Sequence, residues 1–319
     1  MIHIGTSGYN YPHWWNDVFY PSRLPQKKWL EFYAQHFDTV ELNVSFYRLP
    51  RKEVFESWYK RTPKRFSFAV KGSRFITHIR RLKDCKEPLS LFFDHASPLK
   101  EKFGVVLWQL PPRFKFQRER LEEFCVLLST LPRSKLIRHT FEFRDESWYC
   151  QEALRILEKF NFAFCIAHRA GPPFIEKATS DFIYLRLHGG EVLYGSNYSD
   201  KELKQWAEKI EHWRRTSEAP RASARGIFTA SAKPAEAHPP PLTYSPNLPS
   251  PKRLGHVDKV SGRQQLRRIP FSHSSPSFRT GHSAKAGKIV FVYFNNDAYG
   301  FAIKNALTLR KIVHIDPII

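Results

Sequence analysis

The sequence predicts a single α/β domain folded as a (β/α)8, TIM-barrel-like barrel, and three observations carry that prediction. Eight strand-like apolar segments recur along the 319 residues, and most are followed by a stretch with helical spacing. Such alternation implies a parallel sheet covered by helices. One segment, GVVLWQL at 104–110, is almost wholly apolar, the pattern of a strand buried on both faces. Polar residues also gather at the C-terminal ends of these segments, where a barrel of this kind keeps its functional groups.

In chain order, IHIG at 2–5 is the first strand, followed by the turn Thr6-Ser7-Gly8 and an aromatic loop with Tyr9, Tyr11, Trp14, Trp15, Phe19 and Tyr20. Residues 27–37 place Trp29, Leu30, Tyr33, Ala34 and Phe37 on one helical stripe. TVELN at 39–43 is the second strand. Pro50 and Pro63 bound a helix over 51–61. RFSFAVK at 65–71 is the third strand, ending in Lys71, and a less regular helical stretch covers 88–103. The fourth strand, 104–110, carries Gln109 near its end, and a helix over 118–131 follows.

The fifth strand lies in IRHTFEFRDESW, 137–148. A strand has period two, so Glu142 and Arg144 share one face and Phe141 and Phe143 the other. A helix over 151–160 leads to the sixth strand, 162–168, ending in His168. Gly171-Pro172-Pro173 argues against a full helix after it. In the seventh strand, 181–188, Tyr184, Arg186 and His188 share a face. An amphipathic helix over 200–215 has Asp200 near its N-cap. The eighth strand, 288–294, runs into Asn295-Asn296-Asp297, and the last helix covers 299–313.

Between that amphipathic helix and the eighth strand, residues 216–287 hold ten of the chain's 23 prolines and 11 Lys/Arg against Glu218, Glu236 and Asp258. The segment lacks tryptophan and sustained periodicity, so it buries too little apolar surface to offset the entropy of ordering. It reads as a disordered, low-complexity basic insertion at the N-terminal, non-catalytic end of the barrel. Residues 1–215 and 288–319 then form the one barrel domain. The insertion is either a basic tether for nucleic acid or, more blandly, a solvated loop.

The net charge of +21 favours anionic partners and says nothing about fold. No run of 18 apolar residues is present, so no membrane helix is expected. MIHIGTSGYNY has no basic segment followed by an apolar stretch, so no secretory leader is read. Cys85, Cys125, Cys150 and Cys165 fall at no metal-like spacing and read as reduced thiols of a cytoplasmic protein.

Eight ordered motifs together resemble a known family: GTSGYNYPHWW (5–15), FYP (19–21), TVELNVSFYRLP (39–50), FSFAVKGSRFITH (66–78), QLPP (109–112), FEFRDESW (141–148), YLRLHG (184–189) and YFNNDAYGFAIKNA (293–306). The chain resembles the YecE-like family, domain of unknown function 72, along its whole length except 216–287. The resemblance implies a TIM-barrel-like fold and assigns no activity. The insertion departs from the family pattern, which implies a short connection there.

The rim candidates are Glu41, Asn43, Lys71, Gln109, Glu142, Arg144, His168, Arg186, His188, Asn295, Asn296 and Asp297. Glu41 and Glu142 on well-separated strands are expected to face one another across the mouth as an acid/base pair flanking a substrate. Lys71, Arg144 and Arg186 supply positive charge for a carboxylate, a phosphate or a developing oxyanion. His188 is a candidate proton carrier, against the plainer reading of a structural histidine. Asn43, Gln109, Asn295, Asn296 and Asp297 offer hydrogen bonds to a ligand, though the last three also fit a turn and helix cap.

The competing reading of Glu142 and Arg144 is a buried structural ion pair. The carboxylates and histidines show no local metal-ligand spacing, and neighbouring cations oppose a divalent ion, so neither metal nor cofactor is expected. Ser7 lacks a nucleophile-elbow context, and the aromatic loop reads chiefly as packing. Two functions survive. One is an acid/base enzyme, hydrolase- or isomerase-like, acting at the rim on an anionic or polyhydroxylated small molecule. The other is a nucleic-acid-binding protein using basic surface and exposed aromatics.

Overall fold

The structure, a computed structural model, describes residues 1–169, 174–190, 195–216 and 287–314. Eight parallel strands form one sheet: β1 (Ile2–Thr6), β2 (Thr39–Leu42), β3 (Ser67–Lys71), β4 (Phe103–Gln109), β5 (Arg138–Glu142), β6 (Ala163–His168), β7 (Phe182–Leu187) and β8 (Ile289–Phe294). Each strand pairs with its sequence neighbour from β2 to β8, and β8 pairs with β1. The remaining seam, between β1 and β2, is drawn together at the C-terminal end, where Ser7 bridges Glu41 and the Gly8 N–H donates to the Glu41 carbonyl at 2.8 Å.

Further down that seam only a glycine fits, because a Cβ on Gly5 would lie 2.2 Å from the Thr39 carbonyl oxygen. Tyr33 staples the seam from outside. Its hydroxyl accepts from the Thr6 N–H at 3.0 Å and donates to the Thr39 carbonyl at 3.1 Å.

Among the described residues seven helices of two turns or more surround the sheet: α1 (Trp29–His36), α2 (Lys52–Lys60), α3 (Lys86–Ala96), α4 (Arg118–Thr130), α5 (Gln151–Lys159), α6 (Asp200–Arg215) and α7 (Phe301–Ile312). Their buried stripes, such as Leu121, Phe124, Cys125 and Leu128 on α4, pack on the outward strand residues Val106, Trp108, Phe141 and Ile166. The inward residues form a separate apolar layer of Ala69, Val105, Leu107, Ala163, Cys165, Phe182, Tyr184, Phe291 and Tyr293. Period-two strands thus sort each segment into two cores, the arrangement that the almost wholly apolar fourth strand implied.

Four local features differ from the sequence expectation. The helix expected over 88–103 breaks after Ala96 into a 3-10 turn, Ser97–Lys102, because Pro98 cannot donate to the helix ladder. The cap of α6 is Ser199 rather than Asp200; Ser199 and Glu202 bond each other's backbone N–H in a capping box. Two short turns, Val44–Tyr47 and Phe75–Ile79, follow β2 and β3 and line the C-terminal end. β5 ends at Glu142, so Arg144 lies beyond the strand.

Among the described residues no helix connects β6 to β7, and residues 170–173 lie outside them. The insertion read over 216–287 also lies outside the described residues, apart from its two end positions. The four cysteines are unpaired. No helix among the described residues is long and apolar enough to cross a membrane.

Candidate functional site in the C-terminal mouth

The inward side chains change character along the barrel axis. On β7 they run Phe182, Tyr184, Arg186; on β8 they run Phe291, Tyr293 and then Asn295; on β2 they run Thr39, Glu41 and then Asn43. Aromatic packing at the bottom gives way to charge at the top. The parity of each strand, fixed by its apolar residues, therefore decides which polar residues enter the mouth.

Arg186 occupies the centre and is 1% exposed. Its Nε and Nη2 donate to the two oxygens of Glu41 at 2.9 and 2.7 Å, a bidentate fork. Its Nη1 donates to Glu142 Oε2 at 2.6 Å, and Nη2 also donates to Ser7 Oγ at 3.0 Å. Ser7 Oγ donates to Glu41 Oε1, Tyr184 donates to Glu41 Oε2 at 2.7 Å, and Gln109 Nε2 donates to Glu142 Oε2 at 3.0 Å. Arg144 Nε lies 2.6 Å from Glu142 Oε1, a charge contact rather than an aligned hydrogen bond.

Burial alone would raise the Glu142 carboxyl, but the charges of Arg144 and Arg186, with Lys71, outweigh it and hold it well below the usual carboxylate range. Burial would likewise discharge Arg186, and the carboxylates of Glu41 and Glu142 keep it charged.

His188 is fully buried beside this cluster. Its Nδ1 lies 3.0 Å from Asn295 Nδ2, and its Nε2 lies 3.5 Å from Arg186 Nη1 and 3.9 Å from Glu142 Oε1. Burial first, then Arg186, push its pKa well down, so the ring is neutral. Lys71, 9% exposed, ends β3 with Nζ over the Phe46 ring, 4.3 Å from its centroid. Burial and the Arg186 charge lower its pKa to about 8, against the opposing pull of Glu41 and Glu142. Asn43 Nδ2 donates to Ser7 Oγ at 3.1 Å, while its Oδ1 is buried without a protein hydrogen bond.

Glu41, Asn43, Lys71, Gln109, Glu142, Arg144, Arg186, His188 and Asn295 therefore come together, and three other candidates do not. His168 lies an odd number of residues beyond the inward Cys165, so it faces outward, with Nδ1 2.7 Å from the Tyr198 hydroxyl and its ring against Trp206. Asn296 follows the inward-side Asn295 and turns out to Asn305 and the Ser196 carbonyl, at 2.8 and 3.0 Å. Asp297 accepts from the Trp14 indole at 2.8 Å and meets His13 at 2.9 Å, anchoring the aromatic loop. Trp14 and Tyr20 of that loop are fully buried, which is its packing role.

The expected open gap between the two carboxylates is filled by the Arg186 guanidinium. Sequence reading missed Ser7 and Tyr184 as members of the site, although Tyr184 sits at an inward position of β7 and Ser7 keeps the inward parity one residue past β1. No group of three metal-ligating side chains occurs among the described residues. A concavity of about 680 Å3 opens at the opposite mouth, lined by His3, Arg65, Ser67, Arg138 and Phe291, and contains no residue of this cluster.

The fold and site define a (β/α)8-barrel protein with a buried charged cluster under its C-terminal rim. Residues 3–239 match the family described as "Protein of unknown function DUF72", and the chain belongs to that family. It is 28% identical over 241 residues to the UPF0759 protein YunF of Bacillus subtilis (strain 168), covering 66% of this chain and 83% of that one. It is 35% identical over 114 residues to the UPF0759 protein YecE of Escherichia coli (strain K12), covering 36% of this chain and 39% of YecE. A crystal structure of a DUF72 family protein from Thermotoga maritima MSB8 superposes with a TM-score of 0.68 at 24% identity, covering 99% of this chain and 100% of that one. One from Enterococcus faecalis V583 does so with a TM-score of 0.65 at 17% identity, covering 99% and 96%. These two likenesses show the fold.

Proposed function

We propose that the C-terminal mouth binds an anionic or polyhydroxylated small molecule and performs acid/base chemistry on it. The observation that carries this reading is the charge balance of the cluster. Arg186 and Arg144 face Glu41 and Glu142, and among the described residues the Lys71 ammonium has no carboxylate of its own. A mouth with one cation in excess, inside a low-dielectric wall, draws in an anion. The amide of Asn43, with its unpartnered Oδ1, and those of Gln109 and Asn295 supply neutral hydrogen bonds of the kind that hydroxyl groups need.

Within this reading Glu142 is a fixed negative charge or a proton acceptor, because a carboxylate held well below its usual range carries no proton to donate near neutral pH. His188 is the proton carrier: its neutral ring sits between the carboxylate of Glu142 and the amide of Asn295. Hydrolysis and isomerisation both suit this set. The four unpaired cysteines suit a reducing cytoplasm.

A second reading, nucleic-acid binding, draws on the outer rim. Trp15, Tyr47, Phe75 and Tyr299 are 46%, 79%, 42% and 85% exposed after β1, β2, β3 and β8, with the exposed Arg48 and Arg74 among them. Thermal shift of the full chain separates the two. A sugar phosphate or organic acid at about 100 times its Kd stabilises by about 2.7 kcal/mol, and Arg144→Ala is expected to abolish that shift. Stabilisation by oligonucleotides alone, fading with salt, would overturn the small-molecule reading.

A further inference from the structure

We propose that Lys71 is a nucleophilic amine, which forms an imine with the aldehyde or ketone carbon of an anionic ligand bound in the mouth. The inference rests on the anion-binding reading above and names the chemistry of that ligand, a carbonyl compound bearing a carboxylate or phosphate.

The backbone under Lys71 is fixed. Its carbonyl accepts from Ser45 Oγ at 2.6 Å, and the next N–H, of Gly72, donates to the Leu107 carbonyl at 2.8 Å. A Cβ on Gly72 would sit 2.3 Å from the Trp108 ring, so the chain turns there without a side chain. The amine itself is held by contact with an apolar ring. Nζ rests over Phe46 and makes no hydrogen bond among the described residues. A largely desolvated ammonium at the mouth, held by a ring rather than by a protein acceptor, suits a group that must lose its proton to react.

The charged and titratable neighbours come from several elements. Arg186 reaches it from β7, Arg144 from beyond β5, Glu41 and Glu142 from β2 and β5, and His78 from the turn after β3. Burial and the Arg186 charge bring Lys71 to about 8, so roughly a tenth is neutral amine at pH 7, against about three in ten thousand for an ordinary lysine. Desolvation and an adjacent cation are the two ways in which a protein prepares a lysine for carbonyl chemistry.

The step balances without an oxidant or a reductant. The neutral amine forms a bond to the carbonyl carbon, and the carbonyl π electrons move to oxygen, which takes up a proton. Loss of that oxygen as water, with the remaining amine proton, leaves the C=N bond. Arg144, whose charge also acts on Lys71, is assigned the ligand's anionic group while Lys71 engages its carbon.

The test uses the full chain with glyoxylate as probe and cyanoborohydride as trap. Hydride delivered to the imine carbon leaves a stable carboxymethyl group, located by peptide mass spectrometry. Lys71 is expected to label at least about tenfold faster than any other lysine at pH 7, with the rate rising through about pH 8. Oxalate, an anion without an aldehyde carbon, is expected to slow labelling at Lys71 alone and to raise the melting temperature. The variant Lys71→Arg should lose the fast-labelling site and keep part of the oxalate shift. If oxalate stabilises the chain but Lys71 labels no faster than exposed lysines, the imine proposal is overturned and the anion site stands. If oxalate neither stabilises nor protects, the anion reading fails, and a fast Lys71 would then be a reactive amine without a binding site.

Discussion

Lys71 and Lys102 are both buried, at opposite ends of the neighbouring strands β3 and β4, and their surroundings differ. Lys102, 4% exposed, donates from Nζ to the Tyr59 carbonyl at 2.6 Å, the Thr62 carbonyl at 2.7 Å and Thr62 Oγ1 at 3.2 Å. Its three donors are matched by three acceptors, and it ties the end of α2 to the start of β4. Lys71 has an aromatic ring and, among the described residues, no protein acceptor. Burial lowers the pKa of both, so burial alone does not separate them. What separates them is satisfaction. A buried charge whose hydrogen bonds are complete is structural, and one left incomplete at the mouth of a barrel is available to a ligand.

The largest effect expected in the mouth comes from Arg186. It neutralises two fully buried carboxylates, so Arg186→Met strips Glu41 of its guanidinium fork and leaves Glu142 to Arg144. Removing one partner of a buried ion cluster costs about 3–5 kcal/mol, and a urea titration of the variant should show a loss of that order. A loss under about 1 kcal/mol would mean that water or protonation replaces the guanidinium easily, and would break the description of Arg186 as the keystone of the cluster.

The two lysines themselves give the next test. Lys102→Met strands two backbone carbonyls and a hydroxyl, and unsatisfied buried groups cost about 1–3 kcal/mol. Lys71→Met removes a largely desolvated ammonium that has no protein acceptor among the described residues and keeps an apolar stem on Phe46, so its stability should stay within about 1 kcal/mol of the parent. Equal losses in the two variants, measured by the same denaturant titration, would erase the distinction between them.

Much of this arrangement is legible in the sequence. The alternation of strands and helices gave the barrel, and period two correctly put Glu142 with Arg144 and Arg186 with His188. His168 and Asn296 are strand-end residues whose parity points them out of the mouth, whereas Asp297 lies beyond the end of β8, where parity no longer applies. Counting from Cys165 or Tyr293 would have sent His168 and Asn296 outward. Ser7 lies one residue past β1 and joins the site through a seam between the first two strands, a closure that no local pattern encodes. That Arg186 would fill the space between Glu41 and Glu142 was also hidden, since it depends on how far one side chain reaches across the barrel axis. The Phe46 ring under Lys71 comes from a single helical turn too short to show periodicity.

Two acids at the same end of the barrel sharpen the contrast through pH. Burial is the larger influence on Asp297 and raises it to about 6, against the lowering effect of His13 and the Trp14 indole. A carboxyl raised above its unfolded value of about 3.9 favours folding fully below that pH, and its contribution is lost as pH rises through about 6. Glu142 is displaced the other way by its cations, so its contribution is present above its ordinary range and is lost on acidification. Between about pH 4 and 6 Asp297 therefore imposes a falling stability with pH of about 1–2 kcal/mol, while Glu142 stays ionised. Asp297→Asn keeps an oxygen for the Trp14 N–H and removes the titration, so its denaturation midpoints should be flatter than the parent's across that window. An unchanged slope would place the titration on another group and leave Asp297 as a plain anchor of the aromatic loop.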